Sequence, residues 1–177
     1  MNGRRDLTYS GIGATTPGSD AWTVTANGFR RFQRTVAIGH GEAMWVFASG
    51  EVLRWGVKRR SGFRISPDAD AEVGADYRIS IGWGPFVVRE PVQVVAVVDG
   101  PDRCGFAYGT LAGHPVSGEE AFIVHRDVGG TVFLTLRSLT RAAPAGWWRL
   151  MFPALLVAQR MFRRRYLRSL VAAGMVG

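Results

Sequence analysis

Between Tyr77 and Leu139 the chain is cut into short runs whose connections are too short to hold a helical crossover, and this constrains its fold more than any other feature. Tyr77, Ile79, Ile81 and Trp83 alternate with Arg78 and Ser80, the period of a half-buried strand. Gly84-Pro85 turns the chain into Phe86 to Arg89, and Pro91 opens a further run to Val98. Asp99-Gly100 is a hairpin signal leading into Cys104 through Leu111. After a longer loop, Glu119 to Arg126 pairs through Asp127-Val128-Gly129-Gly130 with Thr131 to Leu139. Such connections join antiparallel neighbours, so the sequence predicts a meander and excludes a parallel sheet built from βαβ units.

The flanks of this region decide what covers the meander. Residues 1–28, rich in Gly, Thr, Ser and Asn, read as an irregular arm, and residues 29–177 as a single domain. A strand is expected from Phe29 to Ile38 and a helix from Glu42 to Trp55, with Met44, Trp45, Ala48, Val52 and Trp55 on one side. Lys58-Arg59-Arg60 follows as a basic turn. Pro153 suits the first turn of a last helix reaching about Ala173, some ~31 Å long. Leu155, Ala158, Phe162, Tyr166 and Leu170 share its apolar face; Arg160, Arg164 and Arg168 lie opposite, with Arg163 and Arg165 on the flanks. Strand, helix, six or so antiparallel strands and a long C-terminal helix make an α+β chain, and the order matches a START-like (helix-grip) fold, a curved sheet of six to seven strands around that helix.

Bulk properties narrow the function classes. A chain of 177 residues, 47% hydrophobic and 20% charged, fits one globular domain. Cys104 is the only cysteine, so no intramolecular disulfide can form, as suits a reducing compartment. Arg4-Arg5 is followed by polar and Gly-rich sequence rather than an apolar stretch, which argues against export. The apolar run Leu150 to Ala158 is far short of the ~20 residues that span a bilayer. A cytoplasmic protein is the expectation. No His, Cys or carboxylate spacing suggests a metal, Gly11-Ile12-Gly13 has no strand before it and no third glycine, and no cofactor is expected. Twenty-one of the 22 basic residues are arginine, with Lys58 alone. Phosphate binding could produce that bias, but a skewed genome composition, echoed in Ala, Gly and Val, explains it more simply.

The densest cluster of unusual residues is GFAYGTLAGHPVSGEEAF, Gly105 to Phe122. Together with LTYSGIGAT (Leu7 to Thr15), FIVHRDVGGTVFLTLRS (Phe122 to Ser138) and RRRYLRSL (Arg163 to Leu170), it resembles uncharacterised protein family 0548, a domain of unknown function found in bacteria and plants. The resemblance covers nearly the whole chain, and its core, Tyr-Gly-Thr-Leu-x-Gly-His-Pro-x-x-Gly-Glu-Glu, is specific. It implies a START-like fold and brings no activity, cofactor or catalytic residue. The stretch from Thr16 to Gly28 is longer and more polar than the family pattern.

The same cluster supplies the candidate site. Tyr108 shares a strand face with Phe106 and Thr110, and Pro115 holds His114 extended. Glu119 and Glu120 must point to opposite faces, so Glu120 joins Phe122 and Val124 and aims a carboxylate at the apolar side. A binding protein for a small hydrophobic or amphipathic ligand is the favoured expectation. Phe106, Phe162 and Tyr166 would line the cavity, and Tyr108, Glu120, His114 and Arg137 would orient a polar end. More ordinary roles exist for the same residues: Glu120 could pair with Arg137 across the hairpin, His114 could cap a turn, and His125 reads as surface. The first alternative is a cyclase- or isomerase-like enzyme with Glu120 or His114 as general base. The second is docking through the Arg-rich C-terminal helix, where eight arginines and no acidic residue follow Gly129, on nucleic-acid phosphates or, by weak contact, on an anionic membrane. Of the two, nucleic acid is not the expected partner, because no base-reading motif accompanies the arginines. The sequence sets no oligomeric state.

Overall fold

A computed structural model describes residues 6–24 and 27–171. In chain order the elements are β1 (Arg30–His40), α1 (Glu42–Leu53), α2 (Gly56–Arg60), β2 (Arg64–Ser66), β3 (Asp76–Trp83), β4 (Phe86–Asp99), β5 (Arg103–Thr110), β6 (Val116–Arg126), β7 (Thr131–Ala142), a 3-10 turn (Trp147–Arg149) and α3 (Phe152–Arg168). The strands form one seven-stranded antiparallel sheet in the order β1-β7-β6-β5-β4-β3-β2. β3 to β7 are the expected meander, β2 is a short strand at the β3 edge that was not expected from the sequence, and β1 closes the sheet from the far side by pairing with β7. Bulges at Ala37/Gly39 in β1 and Val94/Ala96 in β4 add local bends, which help the sheet curve.

All three helices lie on the inner face. Trp45, Ala48 and Val52 of α1 bury against it, and Tyr166, Leu167 and Leu170 bury at the C-terminal end of α3. Trp55, fully buried, is the hub, with its ring 4.5 Å from Phe106 and 4.8 Å from Tyr77. The opposite face is covered by the arm. Leu7 bridges to Leu111, and Tyr9, Thr15 and Trp22 are buried against the sheet. Gly109 makes this approach feasible: a Cβ there would collide with Leu7 and Tyr9. β5 is therefore buried on both faces from Cys104 to Thr110.

Several expected boundaries move. The first helix stops at Leu53, because Trp55 adopts a left-handed backbone (φ 63°) and restarts the chain as α2 in a new direction. The basic turn is thus a short helix, and Lys58 within it is buried rather than solvated. β4 runs unbroken through Pro91, whose carbonyl accepts from the Leu111 amide at 3.0 Å. β6 begins at Val116, three residues before Glu119, and Gly118 (φ 146°) lets it press against β7, where a Cβ would strike the Leu139 carbonyl. α3 starts with Pro153 in its first turn, as expected, but ends at Arg168; the expected helix end near Ala173 lies outside the described residues. His125 is half-buried and stacks on Phe133 at 5.2 Å, so it is not a free surface residue. Cys104 is buried, and burial pushes its thiol up to about 11, away from nucleophile chemistry. Among the described residues no helix is long and apolar enough to cross a membrane.

Candidate functional site

The sheet and α3 do not close completely on each other. A cavity of about 160 Å³ remains between β3 to β7 and the inner side of α3 from Leu155 to Tyr166. Its apolar wall comes from Phe63, Ile81, Val88, Leu155, Ala158 and Phe162. At one end sits a polar cluster built from four elements. α2 delivers Lys58, β5 Tyr108, β6 Glu120 and α3 Tyr166.

Lys58 is the centre of this cluster. Its ammonium lies 3.1 Å from Glu120 Oε2 and donates to the Tyr166 hydroxyl at 2.9 Å. The Tyr108 hydroxyl donates to the same Glu120 oxygen. Phe63 and Tyr166 flank the ammonium at 4.7 and 4.6 Å from their ring centres, so its remaining surface meets π-faces rather than water. Burial works against the charge on Lys58, but Glu120, Tyr108, Tyr166 and Glu90 outweigh it, and the ammonium holds its proton well above the usual lysine range. Burial first, then the Glu120 charge, raises the Tyr108 phenol; burial likewise raises Tyr166, and both stay protonated. A second carboxyl, Glu90 of β4, lines the same cavity. Burial lifts its pKa, and the opposing pull of Lys58 does not restore it.

The sequence-derived candidates divide into three groups. Tyr108, Glu120, Phe162 and Tyr166 line the cavity together, and His114 lines it from the β5–β6 connection. His114 is buried, and its Nδ1 reaches the Val116 backbone across Pro115, with the carbonyl at 2.9 Å and the amide at 3.1 Å. The ring thus closes a turn as well as facing the cavity. Phe106 is displaced from its expected place: it packs beneath Trp55 in the core, behind the wall. Arg137 is a clear correction. In the register of β6 and β7 it lies opposite Ala121, while Ser138 lies opposite Glu120, so Arg137 points away from the cavity. Its guanidinium instead donates to four arm carbonyls, Thr15 (3.2 Å), Thr16 (2.7 Å), Ser19 (2.9 Å) and Asp20 (2.8 Å). Burial, with the charges of Arg103 and Arg31, lowers it to about 10.

Glu119 completes the arm's anchor on that same face. It accepts from the Tyr9 hydroxyl at 2.7 Å, the Gly13 amide at 2.9 Å, the Thr15 amide at 2.8 Å and the Thr15 hydroxyl. The alternation expected of Glu119 and Glu120 therefore separates two tasks, one carboxylate holding the arm and the next facing the cavity. Lys58 and Glu90 are the functional groups that sequence reasoning missed. The only available signal for Lys58 was its being the sole lysine in an arginine-rich chain, in which nothing but position explains the choice.

Burial, reinforced by the positive charge of Lys58, pulls His114 down to about 3 from an ordinary 6.5. A base held neutral in the folded state contributes stability above pH 6.5 that is lost as pH falls toward 3, while the unfolded chain takes up the proton. Urea midpoints should therefore drop between pH 6.5 and 4.5 in the wild type and drop less in His114→Gln. Parallel curves for the two proteins would remove this role from His114.

With this geometry in place, comparison with known proteins decides the lineage. The model of a domain of unknown function, DUF1990, matches residues 8–169. The chain belongs to the DUF1990 family. A UPF0548 protein of Deinococcus radiodurans is 36% identical over 157 residues, covering 81% of this chain and 78% of that one. A UPF0548 protein of Arabidopsis thaliana is 26% identical over 126 residues, covering 68% and 62%. Among solved structures, a hypothetical protein from Helicobacter pylori superposes with a TM-score of 0.56 at 10% identity over 81% of this chain and 85% of the other. Norcoclaurine synthase from Thalictrum flavum, in complex with dopamine and hydroxybenzaldehyde, superposes with a TM-score of 0.51 at 12% identity over 86% and 96%. At these identities the likeness establishes the fold alone, and the fold of this DUF1990 member is helix-grip.

Proposed function

We propose that this DUF1990 protein binds a small amphipathic molecule, about the size of one substituted aromatic ring, in the cavity between its sheet and α3. The observation that carries the reading is the Lys58–Glu120 ion pair, with both tyrosine hydroxyls, in a cavity whose exposed wall is mostly apolar. Taking two charges out of water costs several kcal/mol each before their attraction repays any of it, and apolar residues of similar volume often serve stability as well or better. A ligand with one polar end gives such a pair a use that packing does not. Size supports the same class: a dry cavity of roughly 150 Å³ holds benzene, and this one is about 160 Å³. About ten non-hydrogen atoms at ligand efficiencies near ~0.6 kcal/mol each imply binding in the range of tens of micromolar or weaker.

The test is ligand-observed NMR with a panel of single-ring phenols, benzaldehydes and benzoates, alongside native mass spectrometry of the protein purified from its own host. Binding of at least one panel class, lost when Ala158→Phe fills the cavity, is the expected result. Equal binding to wild type and Ala158→Phe, or no binding by any class and no retained molecule, would end the proposal.

One observation favours a second reading, acid–base chemistry on such a ligand: Tyr108 and Glu120 converge within hydrogen-bond reach inside the cavity, beside the Lys58 ammonium. Norcoclaurine synthase, with dopamine and hydroxybenzaldehyde bound in the same fold, offers an analogy in fold and ligand size only. Solvent-deuterium exchange into a bound ring ketone, abolished in Glu120→Gln, would distinguish catalysis from binding.

A further inference from the structure

The outer side of α3 is unusual in two adjoining strips. Along one, Val157 and Met161 are 68% and 58% exposed, at spacings that keep them with Ala154 on one side of the helix, and Leu150, in the turn just before α3, is 84% exposed. Trp147, stacked on Trp148 at 4.0 Å, extends the strip at its N-terminal end and is itself mostly exposed. Along the other strip, α3 and the edge strand β1 form an open groove of about 550 Å³. Arg30 and Arg34 project into it from β1, and Arg160, Arg163 and Arg164 from α3, over an apolar floor that includes Phe32 and Leu156.

Among the described residues none of these five arginines makes an ion pair with a carboxylate. Arg163 is wedged flat on the Phe32 ring at 4.0 Å, gives one donor to Ser138 Oγ at 2.8 Å, and leaves its buried Nε without a partner. Burial lowers its pKa; the charge of Glu120 pulls the other way without restoring it, and the charges of Arg30 and Arg160 add to the lowering. Like charges gathered without a paired carboxylate repel one another, and an anion entering the groove would relieve that repulsion.

We propose that this face docks on anionic phospholipid bilayers, with lipid phosphates in the β1–α3 arginine groove and Leu150, Val157 and Met161 in the boundary between headgroups and acyl chains. A helix with apolar and arginine strips side by side, lying on the surface, has the form that binds in the plane of an interface. Trp147 and Trp148 belong at the same depth. Nucleic acid would satisfy the arginines but give Leu150, Val157 and Met161 nothing to bury against. A symmetric contact with a second copy of the chain would set arginines against arginines. The proposal is independent of the cavity reading, although α3 serves both: its inner face is the cavity wall.

Sedimentation of the full chain with vesicles tests it, using phosphatidylcholine alone and phosphatidylcholine with about one third phosphatidylglycerol, at about 0.15 M salt. Binding to the anionic vesicles and not to the neutral ones is expected. Each arginine at a membrane surface is worth about fivefold in partitioning, so Arg30→Gln/Arg160→Gln/Arg164→Gln should lose about a hundredfold. Val157→Glu/Met161→Glu should lose at least about tenfold, with the melting temperature of both variants unchanged because all five positions are exposed. Absence of binding to anionic vesicles overturns the proposal. Loss in the arginine variant with none in Val157→Glu/Met161→Glu also overturns it, as does tight binding of single-stranded RNA that this apolar-strip variant retains in full; these outcomes assign the groove to a soluble phosphate or to nucleic acid.

Discussion

Lys58→Met will destabilise the protein by about 3–5 kcal/mol, the range for removing one partner of a buried ion pair. The loss comes less from the missing attraction than from the Glu120 carboxylate left facing an apolar cavity with only the Tyr108 hydroxyl to answer it. Glu120→Gln in the same background should recover most of the loss, because the double variant strands no charge. Urea unfolding of the two single variants and the double variant measures this coupling. Strict additivity would mean that Lys58 and Glu120 do not share one site. The pair also sets a direction in pH. Lys58 holds its proton more tightly folded than unfolded, so its contribution is complete below the ordinary lysine pKa of 10.5 and is lost as pH rises through the higher folded value. His114 acts at the acid end, and between them these two groups favour a stability plateau from about pH 6.5 to about 10.5.

Glu119→Ala is expected to cost about 3–5 kcal/mol and to free the arm. Its carboxylate is the common acceptor for donors from Tyr9, Gly13 and Thr15, and in the alanine variant buried donors on both sides of the arm's turn lose their only such acceptor. Limited proteolysis should then cut between Leu7 and Trp22 at enzyme levels that leave the wild type intact. Glu119→Gln, which retains one amide oxygen as acceptor, should fall between the two. Glu119 borders the cavity, but its carboxylate is held on the arm side of β6, so a ligand that binds the wild type should bind Glu119→Gln with little change. A large loss of binding with the fold intact would show that the arm and the cavity are one unit.

The sheet was legible because strand alternation and turn residues are local signals, and so was α3, whose apolar face and first-turn proline are visible in the sequence alone. The split between Glu119 and Glu120 was legible for the same reason: in a strand, consecutive residues cannot share a face. Arg137 was misplaced, yet the same rule applies to it. Leu134 and Leu136 belong to the apolar face, so Arg137 between Leu136 and Ser138 has to point to the other, and placing it in the cavity overlooked that alternation. Lys58 was hidden more deeply. Lys58-Arg59-Arg60 reads as a solvated turn unless the chain reverses hand at Trp55, and nothing local announces a left-handed tryptophan. Phe106 shares the expected face with Tyr108, but the same reversal brings Trp55 over it and removes it from the cavity.

The adjacency of Glu119 and Glu120 also bears on how the fold checks itself. β6 sits in the interior of the sheet, between β5 and β7, and its apolar residues on both faces would tolerate being offset by one position far better than its acids would. A slip of one residue in one direction would bring Glu120 to the arm's donors and leave Ala121 facing Lys58, and in the other it would bring Glu119 to Lys58 and leave Gly118 facing the arm. Only one alignment satisfies both partners at once. Arm and lysine are thus two latches on one strand: a slipped frame can close either, and only the native frame closes both.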